Sequence, residues 1–244
     1  MITTMIFDLD GTLVQTERLK AISYARAAVM LRPELEETAV IAAFKEVVGL
    51  SRREVALGLM TRFGLMEAAQ ARMAEFGVAA PWQAYVQIRL QIYEAMLADP
   101  AVIRRNQWPH NMALLQAARH TCDHVALATM SYCPQVQRVL QILELEATFD
   151  FVASRDDVEL GKPDPEIYHL VAHELGVAPA ECLVIEDSPA GVQAALAAGM
   201  QVIAVSTPFT RQRLHESGLL PDNLIVDEPE RVTAVAAAIV QETV

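Results

Sequence analysis

Short, nearly continuous apolar runs alternate along the chain with longer stretches in which apolar positions recur at helical spacing. Met1 to Phe7, His124 to Ala128, Phe149 to Ala153, Cys182 to Ile185 and Gln201 to Val205 are each rich in aliphatic residues and followed by polar or turn-forming ones. Such runs read as strands buried on both faces. Between them, Asn111 to Arg119, Gln135 to Leu143, Pro165 to Leu175 and Pro189 to Ala198 have the spacing of amphipathic helices. The alternation predicts an α/β fold, a parallel sheet wound on both faces, with chemistry at the carboxyl ends of its strands. Residues 17–99 break the pattern: they carry helical periodicity and no convincing strand. They predict an inserted α-helical cap domain. The core is then discontinuous, 1–16 plus 100–244, with hinges after Val14 and in the proline-bearing stretch from Asp99 to Pro109.

Composition narrows what such a fold does. The 244 residues are 53% hydrophobic and 20% charged, a globular balance, and the formal net charge is -12. An acidic chain repels nucleic acid and anionic membrane surfaces, so neither is expected as a partner, and an anionic ligand needs locally placed cations. Cys122, Cys133 and Cys182 are too scattered for a disulfide framework or a zinc site, and read as buried free thiols of a reducing compartment. The opening residues lack the basic and apolar segments of a signal peptide, and no apolar run approaches membrane-spanning length. A soluble, cytoplasmic protein is expected.

Candidate chemistry gathers at the strand ends. Asp8 and Asp10 lie two residues apart after the first run, so their side chains leave the extended backbone on the same side. Two carboxylates in one crevice repel unless a cation or shared proton intervenes, and Mg2+ suits such oxygen donors. Taken alone, an Asp-x-Asp reads first as a polar turn with a helix-capping aspartate. A second acidic pair, Glu186-Asp187, follows a later run. Asp187 is the third expected metal ligand, with Glu186 either a ligand or a partner of a metal-bound water. Ser188-Pro189 reads as a helix start, serine at the N-cap. Lys162, in Gly161-Lys162-Pro163-Asp164-Pro165, is placed to offset charge at a bound phosphate or is a solvated loop lysine. Thr129 and Ser131 put hydroxyls at a third strand edge, where each is alternatively a helix cap. His169 and His173 share a helical face, but no third ligand accompanies them.

Asp8-Leu9-Asp10-Gly11-Thr12-Leu13-Val14, Thr129, Gly161-Lys162-Pro163-Asp164-Pro165 and Ile185-Glu186-Asp187-Ser188-Pro189-Ala190-Gly191 resemble, in order, the four motifs of the haloacid dehalogenase superfamily. The resemblance spans the core and implies a Rossmann-like core domain, Mg2+ and an aspartyl-phosphate on Asp8, with Asp10 as general acid/base and Thr129 and Lys162 at the phosphate. Dehalogenase chemistry is disfavoured, because the metal-free dehalogenases lack the second aspartate that Asp10 provides. The chain is similar to phosphatases related to phosphoglycolate phosphatase and to β-phosphoglucomutase. Val48-Gly49-Leu50-Ser51-Arg52 resembles the mutase segment that brings an arginine to substrate. Arg52, with Thr16, Lys20 and Ser131, is therefore the candidate substrate-contact set. Lys20 replaces a mutase histidine, and Tyr132 and Cys133 stand where the mutase has a lysine and an asparagine. The reading is a Mg2+-dependent phosphatase of a small phosphorylated metabolite; the alternatives are a sugar phosphomutase and a non-catalytic metabolite-binding module.

Overall fold

A computed structural model of the chain describes residues 1–48 and 50–242. Six strands, β1 (Thr4–Phe7), β2 (His124–Ala128), β3 (Phe151–Ala153), β4 (Cys182–Glu186), β5 (Gln201–Val205) and β6 (Ile225–Val226), form one sheet in the order β3-β2-β1-β4-β5-β6. Every pairing is parallel. The chain divides into two compact units, Met1–Gln15 with Ile103–Val244, and Thr16–Val102.

The helical unit contains α1 (Thr16–Leu31), α2 (Glu37–Val47), α3 (Arg52–Phe63), α4 (Met66–Ala71), α5 (Met73–Phe76) and α6 (Pro81–Leu97). Its interior mixes small, aromatic and aliphatic residues. Ala21, Ala25 and Ala28 of α1 are fully buried, and the Tyr24 ring packs 5.6 Å from both Phe44 and Tyr85. A capping box starts α3: Ser51 Oγ accepts from Glu54 N at 3.3 Å, while Ser51 N donates to Glu54 Oε2 at 3.0 Å.

The stretch read as a flexible connection instead holds α7 (Pro100–Arg105). Asp99 Oδ1 accepts from Ala101 N at 2.9 Å, and Pro100 opens the helix, where its missing N–H costs nothing. An Asp-Pro pair there is a helix start. The division between the two units falls inside α7.

In the sheet unit, α8 (Pro109–Thr121) packs with α13 (Val232–Glu242), while α10 (Glu166–Leu175), α11 (Pro189–Ala197) and α12 (Arg211–Ser217) form a second connected layer. The remaining helix, α9 (Cys133–Leu143), follows β2. Strand alternation divides the buried residues. Ile6, Ala126, Ala128, Val184, Val202 and Ala204 join Ile167, Tyr168, Val171 and Val192 in one cluster under α10 and α11. β3 is shorter than its apolar run, and β6 has two residues, too few for alternation to register. The three cysteines are free, but only Cys182 is buried; Cys122 and Cys133 are half-buried at helix ends. Among the described residues, no helix is long and apolar enough to cross a membrane.

Candidate active site

Sheet register brings the acidic residues together. Phe7 pairs with Leu127 on one side and Ile185 on the other, so Asp8, Thr129 and Glu186-Asp187 all lie at one carboxyl edge. Backbone bonds extend the pairing past the strands: Asp8 N donates to Ile185 O and Thr129 N to Ala153 O, each at 3.0 Å. β1 lies between β2 and β4, where the strand order reverses, the usual position of a ligand crevice in such sheets.

After β1 the chain turns sharply at Gly11, whose φ of +92° suits glycine. Gly11 N donates to Val14 O at 2.7 Å, and Leu13 N to Leu9 O at 3.0 Å. A side chain at Gly11 is excluded on a second ground, because its Cβ would lie 2.1 Å from Asp187 Oδ2. Gly191 plays the same part for Glu186: a Cβ there would fall 1.8 Å from Oε1. The N-cap reading of Ser188 holds, its Oγ accepting from Gly191 N at 3.0 Å.

Lys162 enters from the loop before α10, which Glu166 anchors by accepting from Glu159 N at 3.0 Å and Leu160 N at 2.7 Å. It is a buried lysine, its side chain 5% exposed. Nζ donates to Asp8 Oδ1 and Ala128 O, both at 2.9 Å, and to Glu186 Oε1 at 2.6 Å. Glu186 Oε2 accepts from Asp187 N, Ser188 N and Ser188 Oγ at 2.9 to 3.1 Å. Burial works against the Lys162 ammonium, but Asp8 and Glu186 outweigh it and hold its pKa well above the ordinary lysine value. Burial also pushes Asp8 up to about 7; Lys162 opposes this, and the charges of Glu186 and Asp10 add to it.

Asp8, Glu186 and Asp187 each offer a carboxylate oxygen within 4.8 Å of the others. This hard oxygen set, carrying more negative charge than Lys162 balances and seated against two glycines, fits a small divalent cation. Asp10 belongs to a different grouping: its Oδ2 accepts a short hydrogen bond from Ser131 Oγ and lies 3.5 Å from Thr129 Oγ1. Neither hydroxyl caps α9, whose N-cap is Tyr132. His169 and His173 both lie exposed on α10.

The other candidate contacts belong to the helical unit. Thr16 starts α1 with its hydroxyl buried and unpartnered, and Lys20 bonds Glu17 at 2.9 Å. Arg52 is exposed at the start of α3, behind the capping box; Gly49 of its segment lies outside the described residues. Two residues escaped the sequence reading. Arg89 is 6% exposed with Nε buried and unpartnered, its guanidinium 5.0 Å from the Tyr24 ring centroid and 4.6 Å from that of Tyr93. Its spacing from Tyr85 and Tyr93, four residues each way, was the available signal. Tyr168 had none, since a tyrosine on the apolar face of a helix reads as core.

A family profile for haloacid dehalogenase-like hydrolases matches residues 2–199. The chain belongs to that family, and as an enzyme it is a phosphoric monoester hydrolase. It is similar to hexitol phosphatase A of Escherichia coli K12, 33% identical over 219 residues covering 90% of each chain. It is also similar to a phosphorylated carbohydrates phosphatase of Thermotoga maritima, 31% identical over 82% of each. Among solved structures, β-phosphoglucomutase from Clostridium difficile shares the fold, with a TM-score of 0.67 at 22% identity over 99% of this chain and 96% of that one.

Proposed function

We propose that the chain hydrolyses a small phosphorylated metabolite, a sugar or polyol phosphate, by phosphoryl transfer through Asp8. The observation that carries this reading is the Lys162 ammonium bonded at once to Asp8, Ala128 O and Glu186 at the carboxyl edge of the sheet. A carboxylate so placed is a nucleophile with its countercharge in position. Asp8 attacks phosphorus, and the bond to the ester oxygen breaks. Asp10 gives the leaving oxygen its proton. Water then attacks the aspartyl-phosphate while Asp10 takes a proton back, releasing inorganic phosphate and restoring Asp8. The bond from Ser131 holds Asp10 toward one geometry for both steps. Asp8, Asp10 and Asp187 would hold Mg2+, with Glu186 close behind them, and the ion when bound supplies charge neutralisation at the transferring group. Lys162 and the Thr129 hydroxyl face the phosphoryl oxygens.

The helical unit acts as a cap that sets selectivity. Arg89, Arg52 and Lys20 all act electrostatically on Tyr24, with Glu17 opposing them, which gathers three cations in an acidic chain. That suits an anionic or hydroxyl-rich substrate. The named activities of the two curated relatives support a carbohydrate phosphate.

The test is a panel of hexose, hexitol and pentose phosphates and phosphoglycolate with Mg2+, following both inorganic phosphate and isomerised sugar phosphate. Release of phosphate from one sugar or polyol class is the expected result. Interconversion of β-glucose 1-phosphate and glucose 6-phosphate without phosphate release would replace the phosphatase with the mutase. Tyr132 and Cys133 argue against that outcome, because they offer no cation for a second phosphate.

A further inference from the structure

Tyr168 touches the catalytic lysine's partner yet has no part in the scheme above. Its side chain is fully buried on α10, in the cluster formed with Ile6, Ala126, Ala128 and Val184. Those strand residues point to the α10 face, and Asp8 and Glu186 continue the same alternation, two residues after Ile6 and Val184. The tyrosine therefore lies under the site, with its ring held by core packing. Its hydroxyl donates to Glu186 Oε1 at 3.2 Å. Its ring centroid lies 5.0 Å from Lys162 Nζ, within cation–π range.

Glu186 Oε1 is the shared acceptor, taking both the Tyr168 hydroxyl and the Lys162 ammonium. The opposite oxygen is tied to the start of α11 through Asp187 N and Ser188. A lysine ammonium on a four-carbon stem has many rotamers, so its position at Asp8 depends on what holds it. Two anchors come from Ala128 O and Glu186.

We propose that Tyr168 is a positioning residue: its hydroxyl fixes Glu186 Oε1 and its ring confines Nζ, so that core packing sets the place of Lys162 against Asp8. A phenylalanine would fill the core equally well. The hydroxyl is therefore the informative atom. The inference rests on Asp8 being the nucleophile.

Tyr168→Phe is compared with the parent for kcat, KM, melting temperature and inhibition by orthovanadate, a phosphoryl mimic, in the presence of Mg2+. The expected result is a roughly 10-fold lower kcat, KM changed by less than about 2-fold, a similarly raised vanadate Ki and a near-parental melting temperature. Adding Tyr168→Phe to Lys162→Met should leave the vanadate Ki of Lys162→Met unchanged, because the two act through one group. Tyr168→Leu, losing ring and hydroxyl, should fall below Tyr168→Phe. A lowered melting temperature with parental kcat and vanadate affinity is the core-filler result and overturns the proposal, as does an additive effect in the double variant. Asp8→Asn separates the two levels. If it still turns over, the nucleophile reading fails and the positioning role falls with it; if it is inert while Tyr168→Phe is parental, only the positioning role falls.

Discussion

Asp8 and Asp10 are two residues apart, and their surroundings differ in a way that suits the roles proposed for them. Asp8 faces Lys162 and the acids Glu186 and Asp187 at the end of β4, whereas Asp10 faces the hydroxyls of Ser131 and Thr129. A nucleophile needs a cation beside it, and a proton carrier needs orientation and access to the leaving oxygen. Asp10→Asn keeps the shape and loses the exchangeable proton, so kcat should fall by about 10²-fold or more with KM little changed. Steady-state kinetics with a natural phosphomonoester checks this; a raised KM with an intact kcat would make Asp10 a binding residue. The grouping of the candidate residues was legible because strand ends turn residues far apart in sequence into neighbours, and polar residues after three of the apolar runs mark those ends, while Lys162 reaches them from a loop. Arg89 and Tyr168 were hidden for the opposite reason, since a polar group buried on an apolar helix face keeps the spacing of core.

Helix α11 shows how closely an element is fitted to the site. Its third residue is glycine because Glu186's carboxylate occupies the space a side chain would need. Gly191→Ala should cost about 1–3 kcal/mol by overpacking and lower kcat more than 10-fold, by displacing the carboxylate that holds Lys162. Denaturant melts and kinetics on one preparation test both; parental activity would mean that Glu186 relocates freely. Helix α12 is tied down by titratable groups. His215 Nε2 lies 3.0 Å from Asp227 Oδ2 and Nδ1 3.2 Å from Asp222 Oδ1, and the bond to Asp227 foremost, then that to Asp222, raises the histidine's pKa. A histidine raised in the folded state stabilises it fully below the unfolded value near 6.5, and that contribution is lost as pH climbs through the folded value. The melting temperature of His215→Gln should trail the parent most near about pH 5.5 and converge with it above about pH 8. A gap independent of pH would remove the ionic part of the tie. At this scale the sequence was readable where periodicity had room. It failed for the two residues of β6, and at α7, where Asp99-Pro100 reads as a loop until the aspartate is seen to cap a helix.

On the scale of the whole molecule, the proposed cation would act on stability as well as catalysis. The chain carries a net -12, and Asp8, Glu186 and Asp187 converge in its interior. A cation bound only by the folded state stabilises it by about 2.7 kcal/mol at 100 times its Kd, a rise of roughly 5–10 °C for a chain of this size. Calorimetry in Mg2+ against EDTA should show that rise in the parent and lose it in Asp187→Ala; equal melting temperatures in both buffers would deny a magnesium site. The reaction itself is tested most directly by acid-quenching the enzyme during turnover and mapping its peptides by mass. A phosphoryl group on Asp8, formed with substrate and absent from Asp8→Asn, is the expected result. Continued turnover with no phosphoryl group on Asp8, and with Asp8→Asn still active, would contradict it.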